Sequence, residues 1–70
     1  MRDWLVAIRK GKEGKTQAEV ARAVSVTQQA YCLIELGENR PSIDTAKAIA
    51  AALNFEKYGL DWTKFYEDGR

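Results

Sequence analysis

The sequence predicts an all-α fold, a compact bundle of five short helices around one core. Three observations carry this. Apolar residues recur at helical spacing almost throughout, and strand-like alternation is nearly absent. Polar residues suited to helix caps (Thr16, Thr27, Ser42, Asp61) stand just ahead of the apolar runs, and Gly37 and Asn54 stand where such runs end. The 70 residues form one domain near the lower end of what folds alone, and helix bundles suit that size because their contacts are local.

Trp4, Leu5 and Ile8 share one face of a first helix, which Gly11 and Gly14 are expected to end. Thr16 starts a second helix and forms a T-x-x-E capping box with Glu19, satisfying two orphan backbone donors reciprocally. Val20, Ala21 and Val24 are its buried stripe, and Ser25 and Val26 form a turn. Thr27 caps a third helix whose Tyr31 and Ile34 point inward, and Gly37 closes it as a left-handed cap. After the loop Glu38-Asn39-Arg40-Pro41, Ser42 caps a fourth helix with the core face Ile43, Ala46, Ile49, Ala50 and Leu53. Residues 55–60 connect to a fifth, short helix capped by Asp61 and carrying Trp62, Phe65 and Tyr66.

Composition excludes several classes of function. A content of 46% apolar and 30% charged residues is too hydrophobic for a disordered chain. No apolar run approaches the roughly 18 residues of a membrane span, and no signal-peptide core follows the N-terminus, so a cytoplasmic protein is expected. Histidine is absent and Cys32 is the only cysteine, which rules out a Cys/His zinc site, a histidine-based triad and an internal disulfide. There is no Gly-rich phosphate loop. Neither an enzyme nor a bound cofactor or metal is expected.

Net charge is only +1, less basic than is typical of a nucleic-acid-binding domain. Its distribution is more informative. Arg9, Lys10, Lys12, Lys15 and Arg22 lie in a segment whose only acids are Glu13 and Glu19, whereas Glu56, Asp61, Glu67 and Asp68 make the end of the chain slightly acidic. That asymmetry fits one polyanion-facing side, and equally a solvated helix and loop.

Helices two and three are the informative pair. Both are short, the turn between them has two or three residues, and small Ala21 stands where the third helix must cross closely. This is the spacing of a helix-turn-helix, whose second helix enters the DNA major groove. Gln28 and Gln29 occupy the leading end of that helix, and a glutamine amide pairs bidentately with adenine N6 and N7. Ala30 is small enough to permit close approach and to touch a thymine methyl, and Cys32 and Leu33 follow one turn later over the next base pairs. Gln17, Thr27, Asn39 and Arg40 are the expected phosphate contacts, with a narrow minor groove as an alternative destination for Arg40. Gln28 and Gln29 are also acceptable as neutral surface residues, and Asn39-Arg40-Pro41 as an ordinary turn. Glu35, beside inward-facing Ile34, is expected to pair with Arg9 or Lys10 of the first helix.

On these residues the chain resembles the Cro/C1-type (XRE) helix-turn-helix family of lambdoid phage repressors and bacterial regulators. The resemblance spans roughly residues 4–55 and rests on Thr16-Gln17-Ala18-Glu19-Val20-Ala21, Thr27-Gln28-Gln29, Ile34-Glu35-Leu36-Gly37, Arg40-Pro41-Ser42, and Ala48-Ile49-Ala50 through Leu53. It implies a lambda-repressor-like bundle, base-reading roles for Gln28 and Gln29, and a phosphate role for Gln17. The chain departs from the family pattern at four places. Ser25 replaces the usual turn glycine, the loop Gly11–Lys15 is about one residue longer, Leu33 replaces a polar base-reader, and residues 56–60 look inserted. The ending Asp61-Trp62-Thr63-Lys64-Phe65 is similar to small regulators of Gram-positive phages and mobile elements.

The resulting expectation is a repressor that binds double-stranded DNA as a homodimer on a pseudo-palindromic operator. Trp62, Phe65 and Tyr66 are either a dimer contact or the closure of a small core. The alternative function is an antitoxin or adaptor that binds a protein partner, such as a toxin or antirepressor, on the same fold.

Overall fold

The computed structural model describes residues 1–67; Asp68 of the acidic end lies outside the described residues. Among them are five α-helices and no strand: α1 (Asp3–Val6), α2 (Gln17–Ala23), α3 (Gln28–Leu36), α4 (Ile43–Ala52) and α5 (Lys64–Glu67). A π-helical stretch, Ala7–Lys12, prolongs α1, and a 3-10 turn, Phe55–Tyr58, follows α4. No helix among the described residues is long and apolar enough to cross a membrane.

The π-helical stretch corrects the expectation that Gly11 ends the first helix. The helix continues through Gly11 to Lys12, and its last bond runs from Glu13 N–H to the Ile8 carbonyl, a five-residue step. A π turn accommodates one residue more than an α turn. The extra residue of this segment is therefore wound into the helix instead of lengthening a loop. Gly14, with φ +63°, makes the turn that follows.

Three of the four expected caps form; the fifth helix begins only at Lys64, and Asp61, expected to cap it, instead accepts from Thr63 N–H at 2.9 Å in the turn that carries Trp62. Thr16 and Glu19 complete the reciprocal capping box of α2. The Thr27 hydroxyl accepts from Ala30 N–H at 3.0 Å, and the Ser42 hydroxyl accepts from Thr45 N–H at 3.2 Å. Both ends of the helix-turn-helix close as Schellman motifs. After α2, Val26 N–H reaches the Ala21 carbonyl and Ser25 N–H the Arg22 carbonyl. After α3, Glu38 N–H reaches the Leu33 carbonyl and Gly37 N–H the Ile34 carbonyl.

The core is built from Leu5, Ile8, Val20, Ala21, Val24, Tyr31, Ile34, Ala46, Ile49, Leu53, Phe55 and Phe65. Ile43 does not join it and is 54% exposed. It lies on the helical stripe of Ala46 and Ile49, but the first turn of α4 extends past the core. Trp4, Phe55 and Phe65 form an aromatic cluster with centroid separations of 5.3–5.8 Å, which ties α5 to the first helix and the 3-10 turn. A second tie joins the π-helical end to the region after α4: Glu13 accepts from Asn54 Nδ2 at 3.1 Å and from the Tyr58 hydroxyl. The two segments that depart from the family pattern thus fasten to each other.

Candidate nucleic-acid interface

α2 packs against α3, and the small Ala21 of α2 is buried in the core. The turn between them depends on Ser25 at φ +62°, a left-handed conformation that favours glycine. Val26 is half-buried beneath it and Thr27 begins the next helix. This geometry exposes the first turn of α3. Gln28 and Gln29 are both exposed there, adjacent on the outer surface, and Ala30, Cys32 and Leu33 are half-buried beside them. Tyr31 and Ile34 on the opposite side are buried. The helix therefore presents amides at its leading end and small or apolar side chains along the following turn, a chemistry suited to base edges and thymine methyls.

Behind α3 lies a buried polar network. Arg9 Nε and Nη2 donate to the two Glu35 carboxylate oxygens at 2.5 and 3.1 Å, which settles the choice between Arg9 and Lys10 in favour of Arg9. Arg9 Nη1 also donates to the Lys15 carbonyl at 2.9 Å. Burial alone would raise the Glu35 pKa, but the Arg9, Gln17 and Tyr31 side chains outweigh it and hold the carboxyl below the usual range. The Arg9 guanidinium is held more basic in return, chiefly by its bond to Glu35. The Tyr31 hydroxyl is buried against the pair without a well-formed hydrogen bond. Burial, then Glu35, push its pKa well above the ordinary phenol.

Gln17, the first residue of α2, donates from Nε2 to Glu35 Oε1 at 2.9 Å. The bond fixes the orientation of the amide and leaves its second N–H available to a phosphate. Thr27 uses its oxygen as an acceptor for the cap and keeps its hydroxyl proton to donate. Asn39 and Arg40 are exposed on the loop after α3. Arg40 lies over the Tyr66 ring at 5.6 Å.

Two expected features are redistributed. Arg9 belongs to the basic segment in sequence but is buried and neutralised by Glu35, so Lys10, Lys12 and Arg22 remain as exposed cations there. Phe65 is fully buried in the core and offers no outward contact, whereas Trp62 and Tyr66 are half-buried and pack edge-on at 5.9 Å. Two residues carry more than their sequence positions indicate. Arg2, buried near the chain start, donates from Nη1 to the Ile34 and Asn39 carbonyls at 2.5 and 3.1 Å and so caps the end of α3 with positive charge. Tyr66 donates from its hydroxyl to the Pro41 carbonyl at 2.6 Å. Neither contact has a local sequence signal, since the partners are 37 and 25 positions apart at most.

The chain matches the family model described as helix-turn-helix over residues 5–60. It is 44% identical over 68 residues to an uncharacterized HTH-type transcriptional regulator, YqaF, of Bacillus subtilis (strain 168), covering 97% of this chain and 82% of that protein. No solved structure gives a significant match.

Proposed function

The chain belongs to the Cro/C1-type helix-turn-helix family of transcriptional regulators, and from that premise we propose that it is a sequence-specific repressor of a phage or mobile element, acting in the cytoplasm on a pseudo-palindromic operator. The observation that carries the proposal is the pair of exposed glutamines, Gln28 and Gln29, on the first turn of α3. Each has the donor and acceptor needed for adenine in the major groove. Ala30, Cys32 and Leu33 follow along the groove floor. Gln17, Thr27, Asn39 and Arg40 flank them as phosphate contacts that set orientation without reading sequence.

One module of this size buries about 600–1,000 Å² of protein surface on DNA. Useful discrimination then calls for two copies on half-sites about one helical turn apart. Trp62, a half-buried aromatic of the C-terminal region, is the proposed contact between copies.

Replacing Gln28 or Gln29 by Ala tests the assignment. Each change is expected to cost about 1–3 kcal/mol on the specific site and to relax preference at one base pair. Measured affinities on operator variants read both effects. Unaltered affinity and base preference in both variants, with loss of a bound protein partner, would instead support an antitoxin or adaptor.

A further inference from the structure

The loop between α3 and α4 is short, exposed and rich in polar residues, yet the carbonyls of both residues next to Arg40 are tied down. The Asn39 carbonyl accepts from Arg2 Nη1 at 3.1 Å. The Pro41 carbonyl accepts from the Tyr66 hydroxyl at 2.6 Å. The donors come from opposite ends of the chain. Pro41 itself is buried, and its ring fixes φ at that position. The Arg40 guanidinium lies over the Tyr66 ring, 5.6 Å from its centroid, within the range of a cation–π contact. Tyr66 thus meets this loop twice, at the Pro41 carbonyl and at the Arg40 head group. Its ring is braced in turn by Trp62, edge-on at 5.9 Å.

A guanidinium held over a ring by its charge still has N–H groups to offer, and those groups are what a phosphate recognises. A free arginine side chain loses much rotamer freedom on meeting a phosphate, and one already held loses less.

We propose that Tyr66 is a positioning residue for Arg40, holding the adjoining Pro41 backbone and the Arg40 guanidinium in place for a DNA phosphate. The proposal rests on the assignment of Arg40 as a phosphate contact and gives the C-terminal helix a part in DNA binding distinct from contact between copies. A phosphate contact operates on any sequence, so the test needs no operator.

The experiment compares the full chain with Arg40→Ala, Tyr66→Leu, Tyr66→Phe and the double variant Arg40→Ala/Tyr66→Leu on random-sequence duplex DNA across a salt series. NMR of the free proteins reports folding and the ring-current shift of the Arg40 side-chain protons. The wild type should show these protons shifted upfield, Tyr66→Phe should keep the shift, and Tyr66→Leu should lose it. Tyr66→Leu should weaken binding about two- to five-fold, and Arg40→Ala should reduce the slope of log K against log salt by about 0.9. In the Arg40→Ala background, Tyr66→Leu should have no further effect. A full effect of Tyr66→Leu in that background overturns the proposal, because Tyr66 would then act independently of Arg40. Absence of the upfield shift in the wild type overturns the hold itself. A retained shift with an unchanged salt slope in Arg40→Ala overturns the phosphate assignment, and the positioning role with it. Tyr66→Phe decides the matter if Tyr66→Leu does not fold: about a two-fold loss that vanishes without Arg40 supports the hydroxyl's role, and a loss that persists without Arg40 overturns it.

Discussion

Glu35 accepts three hydrogen bonds, two from Arg9 and one from Gln17, and joins the first helix, α2 and α3 through one carboxylate. With the two side chains 10% and 3% exposed, neither charge has water as a substitute partner. Removing one partner from such a pair costs about 3–5 kcal/mol, mostly because the other charge is stranded. Glu35→Ala is therefore expected to cost about 3–5 kcal/mol of unfolding free energy, read as a large fall in the urea midpoint. The pair also sets an acid limit. The folded Glu35 pKa is below the ordinary carboxylate value, so the native state holds its proton less tightly than the unfolded chain. Its contribution is complete above the unfolded pKa of about 4.3 and disappears as pH falls through the lower folded value. Urea midpoints measured from pH 6 downward should fall in that window. The place of Gln17 at the start of α2 was legible in the sequence, and its phosphate role is proposed from that place. That the same amide is bonded to Glu35 was not legible, because the bond crosses between helices 18 positions apart.

At the scale of elements, the turn of the helix-turn-helix stores strain at Ser25. A side chain at φ +62° is disfavoured where glycine is not. Ser25→Gly keeps the Schellman bonds and is expected to stabilise the domain by about 0.5–1 kcal/mol, the relief of strain exceeding the entropy added to the unfolded chain. Thermal or urea unfolding checks this. Gly11 and Gly14 make a paired test of the first segment. A methyl group at either would meet open space, but Gly11 lies within the helix and Gly14 has φ +63°. Gly11→Ala should stabilise by about 0.5–1 kcal/mol, and Gly14→Ala should destabilise by a similar or larger amount. Equal effects at the two positions would contradict the helical winding through Gly11. The caps at Thr16, Thr27 and Ser42 were readable because capping is a local event with a fixed offset between donor and acceptor. The π turn was not. A five-residue step has no residue signature, and the sequence displayed only the surplus residue that the turn absorbs.

Across the described residues, the first few and the last few converge on the end of α3 and the loop after it. Arg2 caps α3 from one end, Tyr66 anchors Pro41 from the other, and Trp4, Phe55 and Phe65 pack together between them. The fold class and the position of α3 were readable from periodicity and caps, since both depend on neighbours in sequence. The fate of Phe65 was not, because helical spacing places it on the same short element as Trp62 and Tyr66 without saying which side meets the core. The basic segment loses one charge across the fold: Glu35 was expected to pair with Arg9 or Lys10, and the choice of Arg9 depends on the winding of the first helix, which the sequence did not display. The surface that remains sets Gln28 and Gln29 forward, with Gln17 and Arg40 held by neighbouring side chains on either side. The central claim, that this surface reads base sequence in duplex DNA, is tested most directly by selecting bound sequences from a random double-stranded pool at about 150 mM salt, where non-specific phosphate binding is weakened. The account predicts enrichment of a pseudo-palindrome with A·T pairs under the glutamines, lost in the Gln28→Ala/Gln29→Ala variant. No enrichment from a folded protein, or the same sequence recovered with the variant, would contradict it.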